Sequence, residues 1–261
     1  MRRLLLAALS AGVAAMAATP RFGAVRSFER GHEVELDRHG CVVAVDPDSP
    51  VVHLIFSADS MFEGGEYALS VLDSFGIKGN FFFTGNYLRL PEWSDITRRI
   101  IDGGHYVGSH SDRHLLLADW DAARTELVTP DSMLADLAHG YAELARWGVD
   151  TAAAVWTLPP YEWCSEAQAA VYRTAGITPV QPTPGIQTFR DYTAPGTPEY
   201  RTSAYMLGQL YEFEKERGLG GANILIHLGT WDSRTDKLYR HLPAIIDTLR
   251  ARGYRIETLP R

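Results

Sequence analysis

Short apolar runs alternate with amphipathic stretches along most of the chain from residue 51 onward. Residues 51–56 are apolar, short and rich in β-branched side chains, which predicts a buried strand. The pattern repeats to the end of the chain. It predicts further strands at residues 79–83, 105–108, 152–157, 177–180, 222–227 and 254–259, and helices at residues 64–75, 94–102, 131–147, 165–175, 203–217 and 238–249. Strands that alternate with helices predict parallel pairing, in either a barrel or a doubly wound sheet. We interpret residues 181–200, rich in Pro, Thr and Gly, as a long loop over one face.

The first residues follow a different pattern. Arg2 and Arg3 precede an Ala-rich apolar run that ends in Ala15-Met16-Ala17, as in a secretory signal peptide. The run is too short for a membrane span, which needs about 20 apolar residues. We therefore expect residues 1–17 to be a signal peptide, residues 18–50 an N-terminal extension with a strand at 41–45, and residues 51–261 the main domain. The mature protein would be periplasmic or secreted, without a membrane span.

Composition narrows the range of partners. Hydrophobic residues make up 46% of the 261 residues, enough for a sizeable core, and the formal net charge is -7. A negative charge argues against a nucleic acid or an anionic membrane as partner. The only cysteines, Cys41 and Cys164, are either one disulfide or two unrelated thiols. The oligomeric state cannot be inferred from the sequence.

Polar side chains follow several predicted strands, at the point where each strand ends. In a parallel α/β barrel the carboxyl ends of the strands share one face, and active sites are built there. The residues in such positions are Asp59, His110, His114, Tyr161, Glu162 and His227. We therefore expect them to form one site.

A metal site is predicted among these residues. On a helical turn, His110 and His114 would share a face, so that both imidazoles could reach one ion. Histidines four apart also occur on solvated helix faces, and the spacing alone leaves that alternative open. With Asp59 as a third ligand, the set suits zinc or a similar divalent ion with positions open for water.

Five segments, in this order and context, resemble motifs of the polysaccharide deacetylase (NodB-homology) family, carbohydrate esterase family four. Residues 104–114 match its G-H-x-x-G-x-H-[ST]-x-x-H pattern most closely. The other matches are residues 56–60, where the family has T-F-D-D-G; 80–85, its second strand; 158–161, where R-x-P-Y is expected; and 224–227, which resemble the terminal L-x-H motif. The resemblance covers residues 51 to about 258. It implies a distorted (β/α) barrel of the NodB-homology type.

The resemblance also implies a role for each matching residue. Asp59, His110 and His114 correspond to the metal ligands. Tyr161 corresponds to the residue whose backbone N–H helps to hold the oxyanion, and His227 to the histidine that protonates the leaving group.

Two positions depart from the family pattern. Ala58 occupies the place of the general-base aspartate, and Leu158 that of the arginine that positions this base. Three nearby carboxylates could replace the base, namely Glu63, Asp112 and Glu162. Glu162 directly follows Tyr161 and is the best placed. Asp112 could instead orient an imidazole, Glu63 could cap the next helix, and a bound zinc ion could activate water with little further help.

Two tryptophans adjoin the motif loops. Trp163 follows Glu162 and Trp231 follows His227, and we expect both to stack on sugar rings, core packing being the alternative.

The sequence thus predicts an exported hydrolase that depends on a divalent metal and removes acetyl groups from an N- or O-acetylated glycan. A glycosidase that uses two free carboxylates and a non-catalytic glycan-binding module are the alternatives.

Overall fold

The computed structural model describes residues 19–261, and the predicted signal peptide lies outside them. The described chain begins with a three-stranded antiparallel sheet in the order β1-β2-β3. Its strands are β1 (Val25–Glu29), β2 (His32–Leu36) and β3 (Val42–Val45). The strand predicted at residues 41–45 is confirmed as β3, and all four of its residues are buried.

A second, parallel sheet forms the centre of the molecule. Its strands are β4 (Val51–Ala58), β5 (Asn80–Phe83), β6 (Tyr106–Ser109), β7 (Trp156–Thr157), β8 (Thr178–Pro179), β9 (Asn223–Leu225) and β10 (Arg255–Ile256). The order is β10-β4-β5-β6-β7-β8, and β9 also pairs with β4. All eight residues of β4 are buried, which its mostly apolar sequence predicts for a central parallel strand.

The sheet curls until its two ends approach each other through β3. Val42 forms a parallel bridge with Val180 just after β8, and Ala44 forms an antiparallel bridge with Ala222 just before β9. The predicted α/β fold, a distorted barrel of the NodB-homology type, is therefore confirmed.

Seven helices connect and cover the strands in the described part of the chain. They are α1 (Gly65–Phe75), α2 (Gly85–Leu88), α3 (Ser94–Asp102), α4 (Pro130–Arg146), α5 (Glu166–Thr174), α6 (Ser203–Arg217) and α7 (Leu242–Ala251). Side-chain caps fix several starts. Ser165 and Gln168 form a reciprocal capping box at α5, and Thr129 caps α4. Between residues 19 and 261 no helix is long and apolar enough to cross a membrane.

Candidate functional site

The predicted site residues lie at the carboxyl ends of neighbouring parallel strands. Asp59 follows β4, His110 follows β6, and His227 comes two residues after β9. Because β5 and β9 pair with opposite edges of β4 and β6 pairs with β5, these ends form one edge of the curled sheet.

The two motif histidines meet, but not on a helical turn as predicted. Residues 110–114 form an irregular loop, in which Ser111 and His114 have φ angles of 74° and 55°. These left-handed residues fold the loop back, so that the Nε2 atoms of His110 and His114 lie 3.1 Å apart. The prediction of a helical turn is wrong, because left-handed residues do not continue a right-handed helix.

The state of both rings suits metal binding. The Nδ1–H of His110 donates to the Leu158 carbonyl over 2.7 Å, so its Nε2 carries the lone pair. Burial lowers the pKa of His110 well below its ordinary value. Burial also lowers the pKa of His114, although the negative charge of Asp59 opposes this. Both rings are therefore neutral near pH 7, the state in which an imidazole binds a metal ion. Two nitrogens that bind one zinc ion over bonds of about 2.0–2.1 Å can lie as close together as the Nε2 atoms of His110 and His114 do.

Asp59 is oriented by neighbours on the next loop. Its Oδ1 accepts hydrogen bonds from Thr84 Oγ1 at 3.0 Å and from Asn86 Nδ2 at 3.1 Å. Within residues 19–261 no three His, Cys, Asp or Glu side chains come together closely enough to hold a metal ion. The structure thus unites the two histidines, and the part of Asp59 as a third ligand stays a prediction.

Asp112 is taken up by an ion pair. Arg89 Nη1 lies 2.6 Å from its Oδ1, and the chain passes so close that a Cβ on Gly85 would be 1.8 Å from the same oxygen. Asp112 therefore ties α2 to the histidine loop, and the residue that orients His110 is Leu158, through its carbonyl. This arrangement does not support the predicted role of Asp112 as a base.

Glu63 anchors the loop after β9. It accepts hydrogen bonds from the Thr230 N–H at 3.0 Å and from Lys237 Nζ at 2.8 Å. Helix α1 is preceded by Gly64 and has no side-chain cap, so the alternative in which Glu63 caps this helix is wrong.

Glu162 is the carboxylate that the structure brings to the histidines. Its side chain is 15% exposed, and its Oε1 lies 3.9 Å from His110 Nε2. Burial raises the pKa of Glu162 to about 7, although positive charge on His227 opposes the shift. Tyr161 and Glu162 have φ angles of 59° and 51°. Two consecutive non-glycine residues in the left-handed region are strained, and such strain occurs mainly at functional sites.

A buried aspartate that the sequence analysis missed holds His227. Asp191 Oδ1 lies 2.6 Å from His227 Nδ1, and its Oδ2 accepts the His227 backbone N–H at 2.9 Å. Burial alone lowers the pKa of His227, but the charge and hydrogen bond of Asp191 outweigh it, so the pKa is raised. Asp191 lies in a 3-10 turn, Thr188–Tyr192, inside the segment predicted as a loop. No strand end or motif marks this position in the sequence.

Aromatic side chains surround the histidines. The Tyr161 ring lies 4.3 Å from the His114 ring, and Tyr192 lies 5.4 Å from His227. Trp231 is 58% exposed on the loop after His227. Trp163, predicted to contact sugar, is half-buried and donates its Nε1–H to the Asp119 carbonyl at 3.0 Å.

The two cysteines are neighbours with free thiols. Their Sγ atoms lie 3.3 Å apart and both side chains are fully buried. Cys164 is two residues from Glu162, so the pair adjoins the segment that carries this carboxylate.

Comparison with known proteins gives a consistent family assignment. The sequence profile described as "Polysaccharide deacetylase" matches residues 44–180, just over half of the chain. An uncharacterized 30.6 kDa protein of Geobacillus stearothermophilus is 33% identical over 81 residues, which are 30% of this chain and 29% of that protein.

Solved structures share the fold at low sequence identity. A peptidoglycan N-acetylglucosamine deacetylase superposes with a TM-score of 0.65 at 22% identity, over 82% of this chain and 88% of its own. The chitin deacetylase of the fungal pathogen Colletotrichum lindemuthianum gives 0.60 at 21%, over 80% and 85%. A carbohydrate esterase family four pseudoenzyme from Bacillus anthracis gives 0.64 at 17%, over 84% and 67%.

Proposed function

The chain belongs to the polysaccharide deacetylase family, and we propose that it is an exported hydrolase that removes acetyl groups from a glycan. Export rests on the apolar run within residues 1–17. The observation that carries the proposed reaction is the gathering of the His110–His114 pair, Glu162 and the His227–Asp191 pair at one edge of the sheet.

His110, His114 and Asp59 would hold a divalent metal ion, with zinc the best match to two imidazoles and one carboxylate. When bound, such an ion polarises the acetyl carbonyl and lowers the pKa of a water molecule. The chain supports this by keeping both rings neutral and by fixing the His110 tautomer through the Leu158 carbonyl.

Glu162 takes the place of the base that Ala58 cannot supply. Its carboxylate lies beside His110 and, unlike Glu63 and Asp112, has no Lys or Arg within ion-pair distance among residues 19–261. It is therefore free to accept the proton of the water that attacks the acetyl carbon. The backbone N–H of Tyr161, in the strained segment before it, supports the oxyanion.

His227 donates the proton to the leaving nitrogen or oxygen. Its Nδ1 is engaged by Asp191, so the proton it delivers is on Nε2. Asp191 is almost fully buried and stabilises the protonated ring, which would otherwise lose its proton in an apolar setting.

The two alternative functions receive less support. A glycosidase needs a pair of free carboxylates, and the ion pairs of Asp112 and Glu63 leave Glu162 alone. A non-catalytic module binds glycan without a proton donor, so the buried Asp191 that raises the pKa of His227 favours the enzyme.

The test is acetate release from a panel of acetylated glycans by the wild type and two matched variants. Glu162→Gln removes the proposed base, and we expect it to lower kcat by about 10²–10⁴-fold. Glu63→Gln makes the same chemical change at a carboxylate outside the proposed reaction. The amide oxygen of the new glutamine can still accept the Thr230 N–H, and this variant should retain activity within about threefold. Incubation with a chelator should abolish acetate release, and added Zn²⁺ should restore it.

Two results would contradict the proposal. Equal activity of Glu162→Gln and the wild type would exclude Glu162 as the base. Failure of the zinc-loaded wild type to release acetate from chitooligosaccharides, peptidoglycan fragments and acetylated xylan alike would exclude the reaction.

A further inference from the structure

Trp120 exposes a large apolar surface beside the proposed site. Its side chain is 58% exposed, on the loop between His114 and α4. The Trp120 ring meets the Tyr161 ring edge-on at 5.8 Å, and Tyr161 in turn lies 4.3 Å from His114. Trp120 is thus separated from the histidine pair by a single aromatic ring.

The loop that presents Trp120 is fixed by hydrogen bonds within itself. The Asp119 N–H donates to the Thr125 carbonyl at 2.8 Å, the Leu127 N–H donates to the Leu117 carbonyl at 2.9 Å, and the side chain of Asp121 accepts two hydrogen bonds from Thr125. The exposed indole is therefore held in place by its loop, without burial of its own surface.

Trp163 supports Trp120 from beneath the exposed surface. The two rings pack at 5.4 Å, and the guanidinium of Arg124 stacks on Trp163 at 3.5 Å from the ring centre. Arg124 is almost fully buried and donates to the Cys164 carbonyl. Arg124, Trp163 and Trp120 thus form a continuous stack that ends in an exposed ring.

We propose that Trp120 is a stacking platform for a sugar ring adjacent to the acetylated one, and that this residue determines how strongly the protein favours glycan chains over single sugars. This rests on the proposed function, because the acetylated sugar is taken to lie at the histidine pair. A pyranose ring offers an apolar C–H face that an aromatic ring can cover, and a ring already fixed in place loses little conformational entropy on binding. Tyr161 contacts both Trp120 and His114, with ring centres 5.8 Å and 4.3 Å apart, which puts Trp120 within reach of the sugar next to the acetylated one.

The experiment compares substrates of different length. Acetate release is measured on N-acetylglucosamine and on its β-1,4-linked pentamer. A second pair of substrates is acetylated xylose and acetylated xylopentaose. The proteins compared are the wild type, Trp120→Ala and Trp120→Phe. We expect Trp120→Ala to lower kcat/KM for the pentamers about five- to tenfold, mainly through KM, and to leave the monomers unchanged. Trp120→Phe should recover most of the loss. Phe28→Ala removes an exposed aromatic ring on the β1–β2 hairpin and should change neither substrate class.

Equal losses on monomer and pentamer, or no loss at all, would overturn the proposal. Calorimetric binding of the pentamers separates its failure from that of the proposed function. One outcome is that the wild type releases no acetate and yet binds a pentamer about five- to tenfold more tightly than Trp120→Ala does, which is the factor expected for kcat/KM. In that case the role of Trp120 stands and the proposed reaction fails. If the wild type binds neither pentamer and releases no acetate, both fail.

Discussion

At the scale of single residues, the backbone of Leu158 serves the site although its side chain does not. Leu158 stands where the resemblance predicts arginine, and its side chain lies fully buried in the core. Its carbonyl nevertheless orients His110 over 2.7 Å. Ala58 is buried next to Asp59 and offers no carboxylate. The charged pair is absent, and the backbone of Leu158 supports the histidine.

The Asp191–His227 pair predicts a shift in the pH profile. Asp191 holds the pKa of His227 above its ordinary value, so the ring keeps its proton to higher pH than an isolated imidazole. In Asp191→Asn this support is lost and the pKa of His227 falls. Because the proposed role of His227 requires the proton, the alkaline limb of the kcat profile should move to lower pH, with a lower maximum. Glu63→Gln is the control and should keep the alkaline limb of the wild type. If the limb also stays in place in Asp191→Asn, His227 is not the group that donates the proton.

At the scale of helices and strands, local pattern predicts the elements that bury an apolar face. Helix α3 was predicted with the bounds Ser94–Asp102 that the structure has, and α6 with Ser203–Arg217. The hairpin β1–β2 was missed, because its residues are mixed polar and apolar. It is stabilised by ion pairs of Arg26 with Glu33 and with Asp48. Arg26 and Asp48 are 22 residues apart in sequence, so their pairing leaves no local signal.

The same reason limits what could be predicted of the site. Strand ends predict which residues share one face, and the resemblance supplies the histidines. Chain order makes Glu162 the best placed of the three carboxylates, but which of them lie in ion pairs could not be predicted, since that depends on cations elsewhere in the chain. Arg89 pairs with Asp112 and Lys237 with Glu63, which leaves Glu162. Asp191 escaped notice because it belongs to an irregular segment with no periodicity.

The two buried cysteines lead to a prediction about the stability of the folded protein. Cys41 precedes β3 and Cys164 precedes α5, and their Sγ atoms at 3.3 Å need to approach by little more than 1 Å to bond. Refolding from denaturant in oxidised glutathione, which reaches both thiols while they are exposed, should join them, because the two thiols give up two protons and two electrons as the oxidant becomes two reduced molecules. Because the cysteines are 123 residues apart, the bond should raise the free energy of unfolding by about 2–4 kcal/mol.

Thiol titration in denaturant measures whether the bond forms, and guanidinium unfolding measures its effect. Cys41→Ser is the control that cannot form it. Two reactive thiols after oxidation of the wild type would refute the prediction.

At the scale of the whole molecule, two buried histidines lie near the amino ends of the strands, opposite the proposed site. His53 Nδ1–H donates to the Glu257 carbonyl at 3.1 Å, and His105 Nδ1 accepts the Gly79 N–H at 3.0 Å. Burial lowers the pKa of each to about 4. Both rings are therefore neutral in the folded protein throughout the range in which an exposed histidine takes up a proton.

These histidines should make folding sensitive to mild acid. An unfolded histidine binds a proton below about pH 6.5, whereas these two resist it until about pH 4. The unfolded state therefore binds more protons in this window, and stability falls as the pH falls from 6.5 to 4, by about 3 kcal/mol for each histidine. In His53→Asn the amide N–H can still donate to Glu257, and in His105→Asn the amide oxygen can still accept from Gly79, but neither side chain titrates. Urea unfolding between pH 7.5 and 4.5 should show a smaller loss of stability in each variant than in the wild type, and the smallest in the double variant. An acid slope in the double variant equal to that of the wild type would mean that other groups govern acid unfolding.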